Sequence, residues 1–268
     1  MVPVTTPLCI LTIAGSDSGG GAGIQADQRT NRSIGGHALP AVTAVTAQDT
    51  EGISAWRPVP DALIAAQVAS ALAGFPVAAA KTGLLPGAGA VRVVAKALAG
   101  AGAVQLVVDP LIASSGGTRF LPPDGVSALR KYLFPRASLV TPNWPEAAVF
   151  ARMKVRTHAE AEKAAKRLAA ECGRPVLVKG GHGPGEVCRD CLALPSGATS
   201  WYEHPRVETP NTHGTGCVLS AAIACWLGRG ADLQAAVRMG ESFLQRALGR
   251  GRGIDWGKGR GPAFYGPR

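Results

Sequence analysis

A chain of 268 residues and 27.4 kDa can bury a large core, and we expect one domain over residues 1–268, with two small domains as the alternative. Hydrophobic residues at 46% and charged residues at 17% exclude a disordered protein. The formal charge of +10 suits an anionic partner, but the basic residues are dispersed and no stacking aromatic residues lie among them, which argues against nucleic acid.

The start of the chain, MVPVTTPLCILTIAGSDS, lacks the basic segment and the cleavage site of a signal peptide. No stretch reaches the ~18 uninterrupted apolar residues of a membrane span, so we expect no membrane partner. Six cysteines without a secretory signal are typical of reduced thiols rather than of a disulfide framework. We therefore expect a cytoplasmic protein.

Short apolar runs without polar alternation predict strands that are covered on both faces. They lie at residues 8–13, 42–45, 77–81, 106–109, 138–141 and 176–179. Helical spacing follows Asp61, and Thr157 with Glu160 forms a capping-box pattern before a helix that runs to about Ala170. This alternation predicts an α/β fold with a mostly parallel central sheet, helices on both faces and a ligand site at the carboxyl ends of the strands.

Two segments near the C-terminus fall outside that alternation. Residues 187–207 carry alternating apolar side chains on both sides of a turn at residues 195–197, which predicts a small antiparallel hairpin. Its Cys188 and Cys191 have the spacing of half a zinc site or of a redox pair, but no second pair with ligand spacing accompanies them. The glycine-rich basic tail, about residues 250–268, is interpreted as a solvated terminus or as a segment that faces phosphates.

The first strand runs into the glycine-rich segment AGSDSGGGAGIQAD at residues 14–27, ahead of a predicted helix. Glycines allow positive φ angles and let backbone N–H groups approach a ligand closely. The segment lacks the spacing of a dinucleotide-binding fingerprint, and the chain contains no G-x-x-x-x-G-K-[ST] phosphate loop. By itself it is either a ligand-binding turn or a tight connection.

A second glycine-rich turn, NTHGTGC at residues 211–217, is more specific because an alanine-rich helix follows it. The free N–H groups of Gly214, Thr215 and Gly216 at the start of that helix would form an anion hole. Cys217 would lie in the first turn, where the helix dipole lowers the pKa of a thiol and favours the thiolate. The alternative is a small core residue at a tight contact between helix and sheet.

Polar residues also mark the ends of three other predicted strands. Asp109 ends one strand, Asn143 and Glu146 follow the next, and Lys179 ends the third. Carboxylate and amide oxygens suit Mg²⁺, and a lysine suits phosphate charge. Each residue alone is more often a cap or a surface charge, but their common position predicts phosphoryl transfer.

Seven motifs, in chain order, resemble the hydroxymethylpyrimidine and hydroxymethylpyrimidine-phosphate kinases of the ribokinase-like superfamily: AGSDSGGGAGIQAD, TAVTAQDT, KTGLL, VVDP, TPNWPE, VKGGH and NTHGTGC. The resemblance covers about residues 8–250. It implies a three-layer αβα ribokinase-like fold, ATP with Mg²⁺, and a homodimer. It also implies two phosphorylations in thiamine biosynthesis, in which 4-amino-5-hydroxymethyl-2-methylpyrimidine gives the monophosphate and then the diphosphate.

The same resemblance implies roles for single residues. At the position of Cys217 most sugar kinases of the superfamily carry an aspartate as general base, whereas the pyrimidine kinases carry cysteine. The glycine-rich turn before it would hold the transferring phosphoryl group, and Gln48 would hydrogen-bond the aminopyrimidine. The other implied residues are Ala22, Asp27, Leu84 and Leu111 for the pyrimidine pocket, Asn143, Thr212 and Lys179 for ATP, and Asp109 and Glu146 for Mg²⁺.

Three positions depart from the family pattern, and they leave the shape of the pocket for the pyrimidine ring undetermined. Gly19 and Leu84 stand where the family usually has Ser and Met, and Leu111 stands where Val is common. A pyridoxal or pyridoxine kinase of the same superfamily is the alternative within the class, because that activity occurs among close relatives with the same cysteine. The alternative of a different class is a non-catalytic pyrimidine-binding or sensor protein.

Overall fold

The computed structural model describes residues 6–114 and 116–265 of the chain. Nine strands in these ranges form one sheet. They are β1 Cys9–Asp17, β2 His37–Gln48, β3 Ile53–Pro58, β4 Val77–Thr82, β5 Gln105–Val108, β6 Leu139–Val140, β7 Val176–Val178, β8 Val187–Ala193 and β9 Thr199–Pro205.

The order of the strands across the sheet is β3-β2-β1-β4-β5-β6-β7-β8-β9. Every pairing from β2 to β7 is parallel, whereas β3 at one edge and β8 with β9 at the other edge are antiparallel. The mostly parallel sheet and the small hairpin are therefore confirmed. The sequence patterns do not predict β3, because its largely exposed residues form no continuous apolar run.

The described residues contain eight α-helices. They are α1 Gly23–Ile34, α2 Asp61–Gly74, α3 Ala88–Ala99, α4 Pro123–Ala128, α5 Trp144–Ala151, α6 His158–Cys172, α7 Thr215–Gly228 and α8 Leu233–Gly251. None of these helices has the length and apolarity to cross a membrane. The helix predicted after Asp61 is confirmed, and Thr157 caps α6 because its hydroxyl accepts the backbone N–H of Glu160 at 3.2 Å.

Neighbouring residues of the central strands belong to two different cores, because side chains of a strand alternate between the faces of a sheet. Leu11 packs in one cluster with α2, α3, α5 and α6, whereas Ile10 packs with α1, α7 and α8. The same division separates Val108 from Val107. A layer of helices thus covers each face, which confirms the predicted three-layer αβα architecture.

The C-terminal part of the chain differs from its prediction in extent. Helix α8 continues through Gly251, so the tail begins at residue 252, and residues 266–268 of the predicted tail lie outside the described residues.

The hairpin cysteines Cys188 and Cys191 are free thiols, like the other four cysteines. Cys191 is fully buried, and burial raises its pKa to about 12, so this thiol is chemically inert near neutral pH.

Candidate active site

A cavity of about 970 Å³ lies at the carboxyl ends of the parallel strands. Its walls come from the segments that end or follow β1, β2, β5, β6 and β7 and from the start of α7. Parallel sheets bind ligands at this end. Every predicted site residue except Asp27 lines the cavity: Ala22, Gln48, Leu84, Asp109, Leu111, Asn143, Glu146, Lys179, Thr212, Gly214, Thr215, Gly216 and Cys217.

Gly214 joins the two glycine-rich turns. It precedes α7 in the left-handed conformation, with φ 76° and ψ 6°. A Cβ atom at this position would lie 2.0 Å from the backbone oxygen of Gly21, so only glycine fits. The first N–H groups of a helix have no partner within it, and Thr215 and Gly216 line the cavity, so the start of α7 can bind an anion there.

Cys217 is the third residue of α7, and its side chain is partly exposed to the cavity. Burial raises the pKa of this thiol, although the ammonium of Lys81 and a hydrogen bond from the backbone N–H of Gly23 act in the opposite direction. The prediction of a lowered pKa for this thiol is therefore wrong. Loss of hydration outweighs the attraction of the Lys81 ammonium, and the raised pKa favours the neutral thiol.

Asp27 does not meet the expectation that it lines the pocket. Its side chain has no exposed surface, and both carboxylate oxygens lie 2.9 Å from the Nζ atom of Lys81. The hydroxyl of Thr12 donates to the same carboxylate. Because these partners occupy the carboxylate, Asp27 acts on the site through its charge, which raises the pKa of Cys217.

The sequence patterns do not single out Lys81, although its location is a signal. It stands in the apolar run VAAAK, in a strand covered on both faces, and a buried ammonium needs a carboxylate partner. Burial opposes the charge of Lys81, but the neighbouring Asp27, Cys217 and Asp109 raise its pKa. Lys81 is thus a permanent positive charge beside Cys217.

Lys179 and Asp109 form a second ion pair at the start of α7. Nζ of Lys179 lies 2.8 Å from Oδ1 of Asp109, and the hydroxyl of Ser220 donates to the other carboxylate oxygen at 3.1 Å. A Cβ atom at Gly216 would lie 3.3 Å from that Nζ. Burial opposes both charges, but their mutual attraction lowers the pKa of Asp109 and raises the pKa of Lys179. A fixed cation beside a helix start suits a phosphate group.

Asn143 and Glu146 form a capping box at the start of α5. Oδ1 of Asn143 accepts the backbone N–H of Glu146 at 2.9 Å, and Oε2 of Glu146 accepts the backbone N–H of Asn143 at 2.8 Å. Asn143 and Glu146 therefore act as helix caps through these two oxygen atoms, as the alternative interpretation predicts. Burial raises the pKa of Glu146 to about 7, although Lys179 acts against this shift. A cation placed near this carboxyl would favour its charged form.

Mg²⁺ fits the acidic residues of the cavity when phosphate oxygens complete its ligands. Within the described residues, no group of three or more His, Cys, Asp or Glu side chains could hold an ion by itself. Asp109 and Glu146 both line the cavity, and the charge of Asp109 contributes to the raised pKa of Glu146. Mg²⁺ is commonly bound by one or two carboxylates together with substrate phosphates and waters. The two residues therefore suit a metal that arrives with a nucleotide.

His213 is a site residue that the sequence patterns leave without a role. Its Nε2 atom lies 2.9 Å from Oδ2 of Asp17 and 3.0 Å from Nε2 of Gln48. Asp17 also accepts the backbone N–H groups of Gly19 and Ala22, at 2.9 and 2.7 Å. Burial opposes the charge of Asp17, but these hydrogen bonds lower its pKa. The Nε2 atom can either donate to Asp17 or accept from the Gln48 amide, so the tautomer of His213 decides which of these two hydrogen bonds forms, and in either tautomer the ring lies against Gln48 in the cavity wall.

Comparison with known proteins gives a consistent set of relatives. The family model described as phosphomethylpyrimidine kinase matches residues 17–264. A hydroxymethylpyrimidine/phosphomethylpyrimidine kinase of Haemophilus influenzae is 40% identical over 259 residues, which are 96% of this chain and 96% of that protein. A thiamine biosynthesis bifunctional protein of Geobacter sulfurreducens is 38% identical over 256 residues, which are 96% of this chain and 52% of that protein.

A solved structure of similar shape is the ADP complex of a pyridoxal kinase from Bacillus subtilis. Its TM-score is 0.89 at 32% sequence identity, and the match covers 97% of both chains.

Proposed function

This chain belongs to the phosphomethylpyrimidine kinase family, and we propose that it transfers a phosphoryl group from ATP to 4-amino-5-hydroxymethyl-2-methylpyrimidine and then to the resulting monophosphate. The observation that carries the proposal is the meeting of Cys217, the start of α7 and the pair of Lys179 with Asp109 in one cavity. A base, an anion hole and a fixed cation are the parts that phosphoryl transfer uses. The ADP complex of the pyridoxal kinase also supports the use of ATP.

Cys217 is the proposed general base. The thiol first gives its proton to solvent, and the resulting thiolate then accepts the proton of the acceptor hydroxyl. The permanent charge of Lys81 stabilises the thiolate, because opposite charges favour the ionised form. The neutral resting thiol does not repel an acceptor that already carries phosphate, which allows one site to serve both steps.

The phosphate end of the site is assigned to backbone N–H groups, a lysine, a metal ion and two polar side chains. The N–H groups of Gly214, Thr215 and Gly216 would hold the transferring phosphoryl group, and Lys179 would contact the phosphates of ATP. Mg²⁺, held by Asp109 and Glu146, would neutralise phosphate charge. Thr212 and Asn143 complete the proposed nucleotide contacts.

The acceptor end of the site is assigned to Gln48, with Ala22, Leu84 and Leu111 as apolar walls. Leu84 is buried in a small cluster with Ala44 and Phe120, and Leu111 packs against the same cluster. The amide of Gln48, beside the ring of His213, can distinguish the polar edge of an aminopyrimidine. A homodimer, a single domain and a cytoplasmic location stay predictions.

A pyridoxal kinase is the second candidate, and the TM-score of 0.89 with the Bacillus subtilis enzyme favours it. A panel of acceptors with coupled detection of ADP separates the two candidates. It contains the pyrimidine alcohol, its monophosphate, pyridoxal and pyridoxine. We expect turnover of both pyrimidines, and turnover of pyridoxal alone would overturn the proposal. Binding of the pyrimidine without consumption of ATP at any Mg²⁺ concentration would instead establish a non-catalytic binding protein.

A further inference from the structure

The residues that follow α8 run back across the mouth of the cavity. We call residues 252–265 the C-terminal strap. The backbone N–H of Arg260 donates to the carbonyl of Thr50 at 2.7 Å, and the carbonyl of Gly261 accepts the backbone N–H of His213 at 3.0 Å. The hydroxyl of Tyr265 donates to the carbonyl of Ala26 at 3.0 Å. The strap is therefore fixed to both glycine-rich turns of the site, although composition alone favours a solvated terminus.

The two glycines that flank Arg260 are required by this path. Gly259 has a φ of +85°, and a Cβ atom there would lie 2.2 Å from the carbonyl oxygen of Thr50. A Cβ atom at Gly261 would lie 2.3 Å from Oδ1 of Asn211. Between these two glycines, Arg260 is the residue whose side chain can extend into the cavity.

The guanidinium of Arg260 adds positive charge to the cavity. Arg260 lines the cavity, and within residues 6–114 and 116–265 its side chain forms no ion pair and no hydrogen bond. Lys179 and Arg206 line the same cavity, and Lys179 is paired there with the carboxylate of Asp109.

A cation without a protein partner at a cavity mouth suits a ligand with phosphate oxygens, because a guanidinium forms paired hydrogen bonds with them. Two phosphates could meet it, that of ATP and that of the acceptor monophosphate. The strap is bound to Thr50, two residues after Gln48, and to His213, which contacts Gln48. The backbone on both sides of Arg260 is therefore fixed at the acceptor end of the site.

From this position we infer that Arg260 binds the phosphate of the monophosphate acceptor and so serves the second phosphorylation and not the first. The inference rests on the proposed function for the identity of the acceptor. The pyrimidine alcohol has no phosphate for this side chain to contact, so Arg260 is a specificity-determining residue between the two steps.

The test compares the wild-type protein with Arg260→Ala by calorimetric binding of the monophosphate, the alcohol and ATP. We expect the Kd of the monophosphate to rise about tenfold while the other two Kd values stay unchanged. In turnover, the KM of the monophosphate should rise and that of the alcohol should not. Lys258→Ala is the matched control, since this residue belongs to the strap, is exposed and does not line the cavity. Arg260→Lys should retain part of the effect.

Inorganic phosphate as a second probe separates this inference from the proposed function. If the wild-type protein phosphorylates neither pyrimidine but binds inorganic phosphate more tightly than Arg260→Ala does, the function fails and the phosphate-binding role of Arg260 stands. A rise in the Kd of ATP alone overturns the assignment to the acceptor. Equal binding of every probe by the wild-type protein and Arg260→Ala overturns the inference altogether.

Discussion

The ammonium of Lys81 lies 2.9 Å from both carboxylate oxygens of Asp27, and the two side chains are 1% and 0% exposed. A buried ion pair of this kind adds little net stability while it is complete, but loss of one partner leaves an uncompensated charge in the interior. The pair joins β4 to α1. Both charges also act on the thiol of Cys217, so the folding and the chemistry of this protein depend on the same two residues.

Asp27→Asn should lower the free energy of unfolding by about 3–5 kcal/mol, because the buried ammonium of Lys81 then has no carboxylate in direct contact. Urea denaturation followed by circular dichroism measures the change. The double variant Asp27→Asn with Lys81→Met removes both charges and should recover most of the loss. If the double variant is as unstable as Asp27→Asn alone, the ion pair does not explain the stability of this region.

Gly214→Ala should lower kcat by about 10²-fold, because the added Cβ would push the start of α7 away from Gly21 and disturb the donors of the anion hole. Gly230→Ala is the matched control: its φ is +90°, but a Cβ atom there has no neighbour within 4 Å. Both variants carry the cost of a left-handed backbone, about 1 kcal/mol. The control should keep its kcat, and equal losses in both variants would point to backbone strain alone.

His213→Ala should raise the KM of the pyrimidine about fivefold and change kcat less, because Gln48 loses the ring that lies 3.0 Å from its amide nitrogen and limits the positions of that amide. Steady-state kinetics with the alcohol at saturating ATP separates the two parameters. His37→Ala, at an exposed residue outside the cavity, is the control and should leave both unchanged. A fall in kcat with an unaltered KM would show that His213 acts in the transfer step instead.

Cys217→Asp should impair phosphorylation of the monophosphate more than phosphorylation of the alcohol, because a permanent carboxylate repels a phosphate that a neutral thiol tolerates. Initial rates with both acceptors give the ratio. In the wild-type protein, kcat/KM for the alcohol should rise with pH through the alkaline range, since burial raises the pKa of the thiol. Cys217→Ser should lose this dependence on pH. Equal losses with both acceptors in Cys217→Asp would count against the role of thiol charge.

Glu241 should make the protein less stable as pH rises. Its side chain is 7% exposed, and burial together with the Asp190 carboxylate raises its pKa to about 9, from an ordinary value of 4.5. Between these two pH values the folded state keeps a proton that the unfolded state has lost. Stability therefore falls with rising pH in this window, by at most about 1.4 kcal/mol per pH unit from this group.

Urea denaturation at pH 6 and pH 8.5 tests this dependence on Glu241. Glu241→Gln, which stays neutral, should flatten the dependence and be the more stable protein at pH 8.5. Glu203→Gln, at an exposed position on β9, should behave like the wild-type protein. A steep pH dependence that persists in Glu241→Gln would assign the effect to other groups.

Local sequence patterns predicted those strands and helices that a continuous apolar run or a capping residue marks in the sequence. The buried runs at residues 106–109 and 176–179 overlap strands β5 and β7, and the capping box of Thr157 marks the start of α6. These features depend on backbone conformation and on neighbours within one turn of helix, so a short stretch of sequence contains the information. The exposed edge strand β3 escaped prediction because few of its residues are buried.

The family motifs also placed the candidate site residues around one cavity, with Asp27 as the exception. The resemblance to the family assigned Asp27 to the pocket, but its partner Lys81 comes from a strand 54 positions later in the chain. His213 and Arg260 had no assigned role because their contacts with Gln48 and Thr50 join distant segments. No pattern of local spacing encodes such contacts.

The sequence by itself determined the alternation of buried strands with helices, the two glycine-rich turns and the chemical types available at the strand ends. Only the tertiary structure decided the protonation of Cys217 and the course of the C-terminal strap. A pKa depends on how many neighbours displace water and on which charges they bring, and the strap is held by hydrogen bonds to residues far away in the chain. Both are sums over contacts that exist only after the chain has folded.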